Sequence, residues 1–229
     1  MHSTTSPKDP LHAWDLAPVE AMALQRELAA RVETHDRLGE VRRVAGVDVA
    51  FPRRAGQPVA RAAAVLLGFP DLVLLAERAI EEPVRYPYIP GLLSFREAPA
   101  ILSAVAMLPA PPDLLLVDGQ GRAHPRRFGI ACHLGLLLDC PTIGCAKSRL
   151  VGHYREPPPE AGAWTPLRDG DEVIGAVLRT RATARPLFVS VGHRVSLETA
   201  VALVMACCRG RRLPEPTRLA DALTRRGAP

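Results

Sequence analysis

A mixed α/β fold is predicted from three observations. Three strand-like runs follow one another early in the chain; from residue 92 onward helical and strand patterns alternate; and two of the strand-like runs end on an acid, Asp48 and Asp118. The chain has 229 residues, enough to bury a full core, and its 48% hydrophobic and 23% charged residues exclude a disordered polymer.

The elements follow in order. Residues 1–18 are polar and punctuated by proline, which predicts a flexible arm, and 19–229 are expected to form a single domain. Val19–Arg37 is amphipathic, with Met22, Leu24, Leu28 and Val32 at helical spacing. Val41–Phe51 has strand composition, carries Asp48 and stops at Pro52. Val59–Gly68 and Leu72–Ile80 are strands joined by a Gly-Phe-Pro-Asp turn, which predicts a hairpin. The stretch from Glu82 to Phe95 holds Tyr88 between Pro87 and Pro90, in a loop that proline stiffens. A helix then begins near Leu92 or Ser94, carries Glu97 and runs to about Leu108. Leu114–Val117 delivers Asp118 to a Gly-Gln-Gly turn, and Arg127–Asp139 reads as the next helix. Thr142–Ala146 is a short strand ending on Lys147. Glu156–Pro166 is rich in proline and is expected as a surface loop. Asp171–Thr180 and Leu187–Val191 read as a strand pair, and Ser196 is a suitable N-cap for a helix reaching Cys208. The tail from Arg209 is basic, with room for one short helix at Arg218–Arg225.

A right-handed crossover through the Glu97 helix would lay the Asp48 and Asp118 strands parallel and adjacent. Their carboxylates would then emerge together at the carboxyl edge of the sheet, where open α/β sheets bind ligands. Clustered acids repel, and burial makes their charge costly. A hard divalent cation such as Mg²⁺ or Mn²⁺ would relieve both effects and polarise a phosphate oxygen. Structural readings stand beside this one: Asp118 as a turn cap, Asp48 as a strand-end acid, Glu97 as a solvated helix residue. Lys147 fits a phosphate contact or a strand-edge lysine whose stem packs on apolar surface. His193 fits proton transfer or a turn. Arg126 and Arg127 fit phosphate binding or a solvated basic face. Tyr88 fits a stacking wedge or partial core packing.

Composition narrows the partners. The net charge of +5 favours a polyanion over an acidic partner. Only Lys8 and Lys147 of the 29 cations are lysines, which makes Lys147 unusual in its own chain. The five cysteines contain no CxxC pair and lie in apolar runs, which fits a reducing compartment and argues against a zinc site. No apolar leader or run of about 18 apolar residues is present, so a cytoplasmic protein without membrane contact is expected.

Five motifs in order, VAGVDVAF, PYIPGLLSFRE, LLLVDGQGRAHPRRFGIACHLG, GCAKSRLVG and VSVGHRVSLETAV, resemble endonuclease V. The resemblance implies a ribonuclease H-like α/β fold, a mixed sheet with helices on both faces. It implies a Mg²⁺-dependent endonuclease, with Mn²⁺ able to substitute, that cuts DNA at the second phosphodiester bond 3′ to deoxyinosine. Inosine-containing RNA is the alternative substrate, and a monomer is expected. By motif, Asp48, Glu97 and Asp118 become metal ligands, and Lys147 and His193 catalytic auxiliaries. Pro87, Tyr88, Ile89 and Pro90 become a strand-separating wedge. Gly91, Leu93, Gly119, Gly129, Ile130 and Leu150 become the pocket for the flipped base.

Overall fold

The computed structural model describes residues 11–226. One nine-stranded sheet runs through it in the order β2-β3-β1-β5-β6-β9-β8-β7, with β4 paired to β3. The strands are β1 (Arg43–Ala50), β2 (Arg53–Arg54), β3 (Gln57–Gly68), β4 (Leu74–Pro83), β5 (Leu114–Val117), β6 (Thr142–Ala146), β7 (Trp164–Asp169), β8 (Glu172–Leu178) and β9 (Leu187–His193). The helices are α1 (Pro18–Ala29), α2 (Leu93–Ala106), α3 (Ile130–Leu138), α4 (Leu197–Ala206) and α5 (Glu215–Arg225).

The expected parallel, adjacent pairing holds. β1 and β5 pair in parallel with Val47 opposite Val117, and β5 and β6 pair in parallel with Val117 opposite Gly144. The carboxyl ends of the three strands therefore share one edge, where Asp48 lies within β1, Asp118 follows β5 and Lys147 follows β6. Side chains alternate across the sheet as strand geometry requires. Val44, Leu114, Leu116 and Ile143 pack under α4 and α5 on one face; Ala45, Val47, Leu115 and Val117 pack under α2 and α3 on the other. Helices on both faces and this mixed order constitute the ribonuclease H-like fold expected of the chain.

The boundaries differ in places with physical causes. The first helix stops at Ala29 rather than near Arg37. Residues 11–17 do not form a loose arm: Trp14 stacks on His133 with centroids 5.3 Å apart, and His12 Nε2 lies 2.6 Å from His133 Nε2. The rest of the expected arm, residues 1–10, lies outside the described residues. The third helix begins at Ile130, after an extended Gly129, rather than at Arg127, whose φ is +55°. The end of the expected proline-rich loop is part of β7, an edge strand, where Pro166 forfeits a ladder hydrogen bond at little cost.

α5 is the element that most changes the site. Its buried residues, Pro216, Thr217, Ala220, Leu223 and Thr224, follow helical spacing and lay it against β1 and β3. Gly46 permits the approach: a Cβ there would sit 2.0 Å from the Pro216 carbonyl carbon. A glycine inside a strand is a recognised mark of a second backbone passing close by.

Candidate active site

Three elements close together in space supply three acids. Asp48 lies near the carboxyl end of β1, Asp118 follows β5, and Asp221 is carried in by α5; one carboxylate oxygen from each lies within 4.8 Å of the others. Thr224, one turn beyond Asp221, donates to Asp48 Oδ2 at 3.2 Å. Lys147 Nζ lies 2.5 Å from Asp118 Oδ2 and donates to Asp221 Oδ1 at 2.9 Å. The lysine's own backbone is held as well, since Arg212 Nη2 donates to its carbonyl at 2.5 Å.

The charges in this cluster are not balanced. Burial pushes the Asp48 carboxyl up to about 6, and the neighbouring Asp118 charge adds to the effect while Lys147 opposes it. Burial also pushes Glu97 up to about 8, reinforced by Asp48 and Asp118, so Glu97 stands beside the cluster as a buried acid. Asp118 is raised by burial against the pull of Lys147. Burial alone would lower Lys147, but its hydrogen bonds and the charges of Asp118 and Asp221 hold it above its ordinary value. Lys147 and the more exposed Arg225, which pairs with Asp221 at 2.7 Å, leave two cations among four acids, an electrostatic demand that oxygen-seeking divalent cations satisfy.

A cavity of about 320 Å³ opens from the acids, within the roughly 300–1,000 Å³ of small-ligand sites. All six residues expected to form the base pocket line it, and Asp118 and Lys147 line it too. Tyr88, Ile89 and Pro90 form part of its rim; Tyr88 is 70% exposed, whereas Ile89 packs against Tyr86, Leu92 and Phe95. The segment leading into this rim is tied to α2, because Arg96 Nη1 donates to the Tyr86 carbonyl at 2.9 Å.

Three expected site residues lie elsewhere or face another way. β9 runs antiparallel to β6 and sets His193 opposite Thr142, at the amino end of β6, while Lys147 follows the carboxyl end. His193 is 2% exposed, and its Nδ1 accepts from the Glu33 N–H at 3.2 Å, so it is a buried link to the segment after α1. Arg126 turns inward: its Nε donates to Gln25 Oε1 at 2.6 Å and its Nη2 to the Gly91 carbonyl at 2.7 Å. Arg127 is engaged by Glu172 at 2.7 Å and Asp169 at 2.8 Å. Both guanidiniums are engaged by protein partners.

The acid of the cluster missed from sequence is Asp221. It sits in the basic, proline-broken tail, inside the short helix expected at Arg218–Arg225, and no apolar strand run leads up to it. Two signals were available: the helical spacing of apolar residues across 216–224, and a glycine in the middle of β1.

Acids at the carboxyl ends of central parallel strands, joined by an acid from a C-terminal helix on a ribonuclease H-like sheet, define a phosphodiester-cleaving nuclease of that class. The family model described as Endonuclease V matches residues 26–222. The endonuclease V of Roseiflexus sp. strain RS-1 is 54% identical over 214 residues, covering 93% of this chain and 95% of its own. The crystal structure of endonuclease V from Streptomyces avermitilis superposes with a TM-score of 0.87 at 44% identity, covering 96% of each chain. Ciona intestinalis endonuclease V, solved with a 24mer DNA containing an inosine followed by a ribo-adenosine, superposes with a TM-score of 0.79 at 29% identity, covering 90% of this chain and 95% of that one. The chain belongs to the endonuclease V family and is an endonuclease.

Proposed function

We propose that the chain is a Mg²⁺- or Mn²⁺-dependent endonuclease that recognises deoxyinosine in DNA and hydrolyses the second phosphodiester bond on its 3′ side, leaving a 3′-hydroxyl and a 5′-phosphate. One observation carries the reading: the acid cluster and a base-sized cavity share Asp118 and Lys147. Recognition and cleavage would then be coupled by position, as near-attack geometry requires.

In this reading Asp48, Asp118 and Asp221 hold the cation, and Glu97 completes the acidic surround. The donor set fits, being all oxygen and convergent, with Asp48 and Asp118 raised by burial first and by a neighbouring carboxylate second. When bound, the cation supplies Lewis-acid stabilisation of charge on the phosphate. Lys147 orients Asp118 and Asp221 and offers an ammonium to the scissile phosphate. Pro87–Pro90, with Tyr88 at its tip, enters the stack at the lesion, and the cavity takes the extruded hypoxanthine. Its walls carry backbone groups suited to O6 and the N1 proton. The continuous sheet supports one domain, and no helix among the described residues is long and apolar enough to cross a membrane. The free cysteines, four of them buried and Cys208 half-buried, are consistent with work in the cytoplasm, and a monomer provides every group named.

The test is nicking of an end-labelled duplex carrying one deoxyinosine, with the cut mapped, in Mg²⁺, in Mn²⁺ and in chelator. A metal-dependent nick at the second bond 3′ to the lesion is expected. A cut elsewhere, or cutting in chelator, overturns the assignment. Faster cleavage of a matched single-stranded inosine RNA would transfer the activity to RNA.

A further inference from the structure

Gln25 belongs to α1, outside every motif used above and one residue before the segment matched by the family model. It is 1% exposed, and its amide is fully engaged. Nε2 donates to the Gly91 carbonyl at 3.0 Å and to the Phe128 carbonyl at 3.1 Å, while Oε1 accepts from Arg126 Nε at 2.6 Å. Gly91 is the residue immediately after the rim segment, Phe128 immediately precedes Gly129, and both glycines line the cavity. A single amide therefore ties two separate stretches of the cavity lining together.

The Gly91 carbonyl is further constrained. Arg126 Nη2 reaches it at 2.7 Å and His124 Nε2 at 3.0 Å, while His124 Nδ1 accepts from the Arg126 N–H at 3.2 Å. That pattern requires the neutral imidazole with its proton on Nε2. Burial, with Arg126 nearby, lowers His124 to about 4 and keeps it neutral across the physiological range. Three donors on one carbonyl leave the peptide after Gly91 one orientation. With φ at +79°, and Arg126 Nη2 only 2.6 Å from where a Cβ would lie, the position admits no side chain without rearrangement. Only a carboxamide of this length offers two donors and one acceptor at once; a carboxylate keeps the acceptor and loses both donors.

We propose that Gln25 is a positioning residue that fixes the separation of Gly91 and Gly129 and thereby sets the selectivity of the cavity for the extruded base. The inference rests on the base-pocket reading of that cavity. Gln25 does not contact the acids, so its effect falls on lesion recognition and leaves the metal site and general duplex affinity in place.

The experiment measures dissociation constants, by fluorescence anisotropy in Ca²⁺, for a duplex with one deoxyinosine and for the same duplex with deoxyadenosine. Wild type is compared with Gln25→Glu and Gln25→Met, both close to isosteric. In the variants the preference for deoxyinosine falls about tenfold or more, the scale of a displaced recognition group, while affinity for the undamaged duplex stays within about twofold. Gln25→Glu, which retains the Arg126 contact, loses as much preference as Gln25→Met. An unchanged preference overturns the inference. Equal weakening on both duplexes, or a variant that no longer folds, shows a merely structural glutamine and also overturns it. A wild type with no preference for deoxyinosine would instead overturn the base-pocket reading itself.

Discussion

The two ends of the central strands treat acids in opposite ways. At the carboxyl end Asp48 and Glu97 are pushed up to about 6 and about 8, by burial first and by one another's neighbours second. At the amino end burial alone would raise Asp113, yet the Arg42 and Arg43 backbone N–H groups and the Arg43 guanidinium hold it below its ordinary value. Asp36 likewise ends below its ordinary value, because hydrogen bonds from Ser196 and Thr199 outweigh burial. The same residue types thus serve as structural ties at one end and as unrelieved charge at the other. An end that keeps repelling acids against stability is an end built for a cation.

That contrast is broken most sharply by paired substitutions. Asp118→Ala should lower nicking by about 10³-fold or more, as loss of a metal-holding group does, while deoxyinosine binding persists. His193→Ala, at the other end, should leave kcat/KM within about threefold and instead cost ~1–3 kcal/mol of stability through the unpaired Glu33 N–H. Equal losses of activity would erase the distinction between the ends. Asp221→Asn should reduce kcat by about 10²-fold, with KM for DNA little changed, in steady-state nicking assays. A silent Asp221 would remove α5 from the site.

How far this organisation was legible in the sequence follows from how each group is delivered. Asp48, Asp118 and Lys147 close apolar runs, and parallel strands carry such ends to one edge, so their meeting could be reasoned out. His193 closes an apolar run too, but β9 is antiparallel, and run composition does not give strand direction. Asp221 reaches the cluster through packing of α5 on Gly46, a contact between positions 170 residues apart in sequence (Gly46 and Pro216). Arg126 and Arg127 looked available because their partners, Gln25, Gly91, Glu172 and Asp169, are all distant in the chain.

Electrostatic linkage sharpens the comparison further. The ordinary values are 3.8 for Asp48 and 4.5 for Glu97, and both rise in the folded chain. Carboxyls raised in this way contribute stability that is complete below the unfolded values and lost as pH rises through the folded ones. Metal-free protein should therefore lose thermal stability between about pH 4 and pH 8 from this end. Glu97→Gln should recover ~1–3 kcal/mol of it near pH 8 in denaturant melts. Asp113 has the opposite sign: its contribution is present above the unfolded value and lost as pH falls through the lowered folded one. Asp113→Asn should accordingly cost ~1 kcal/mol near neutral pH and nothing in acid. At the cavity rim, Tyr88→Ala should weaken deoxyinosine binding by about tenfold while leaving stability within ~0.5 kcal/mol.

The central claim, that the acidic end of the sheet is completed by a divalent cation, is tested most directly by calorimetric titration of Mn²⁺ into the metal-free protein in two buffers of different ionisation enthalpy. One saturable binding event that releases protons near pH 7 is predicted, because Glu97, pushed up to about 8, still holds a proton there that the cation displaces, and Asp118→Ala should abolish it. Absence of saturable binding, or binding of equal strength in Asp118→Ala, would contradict the account.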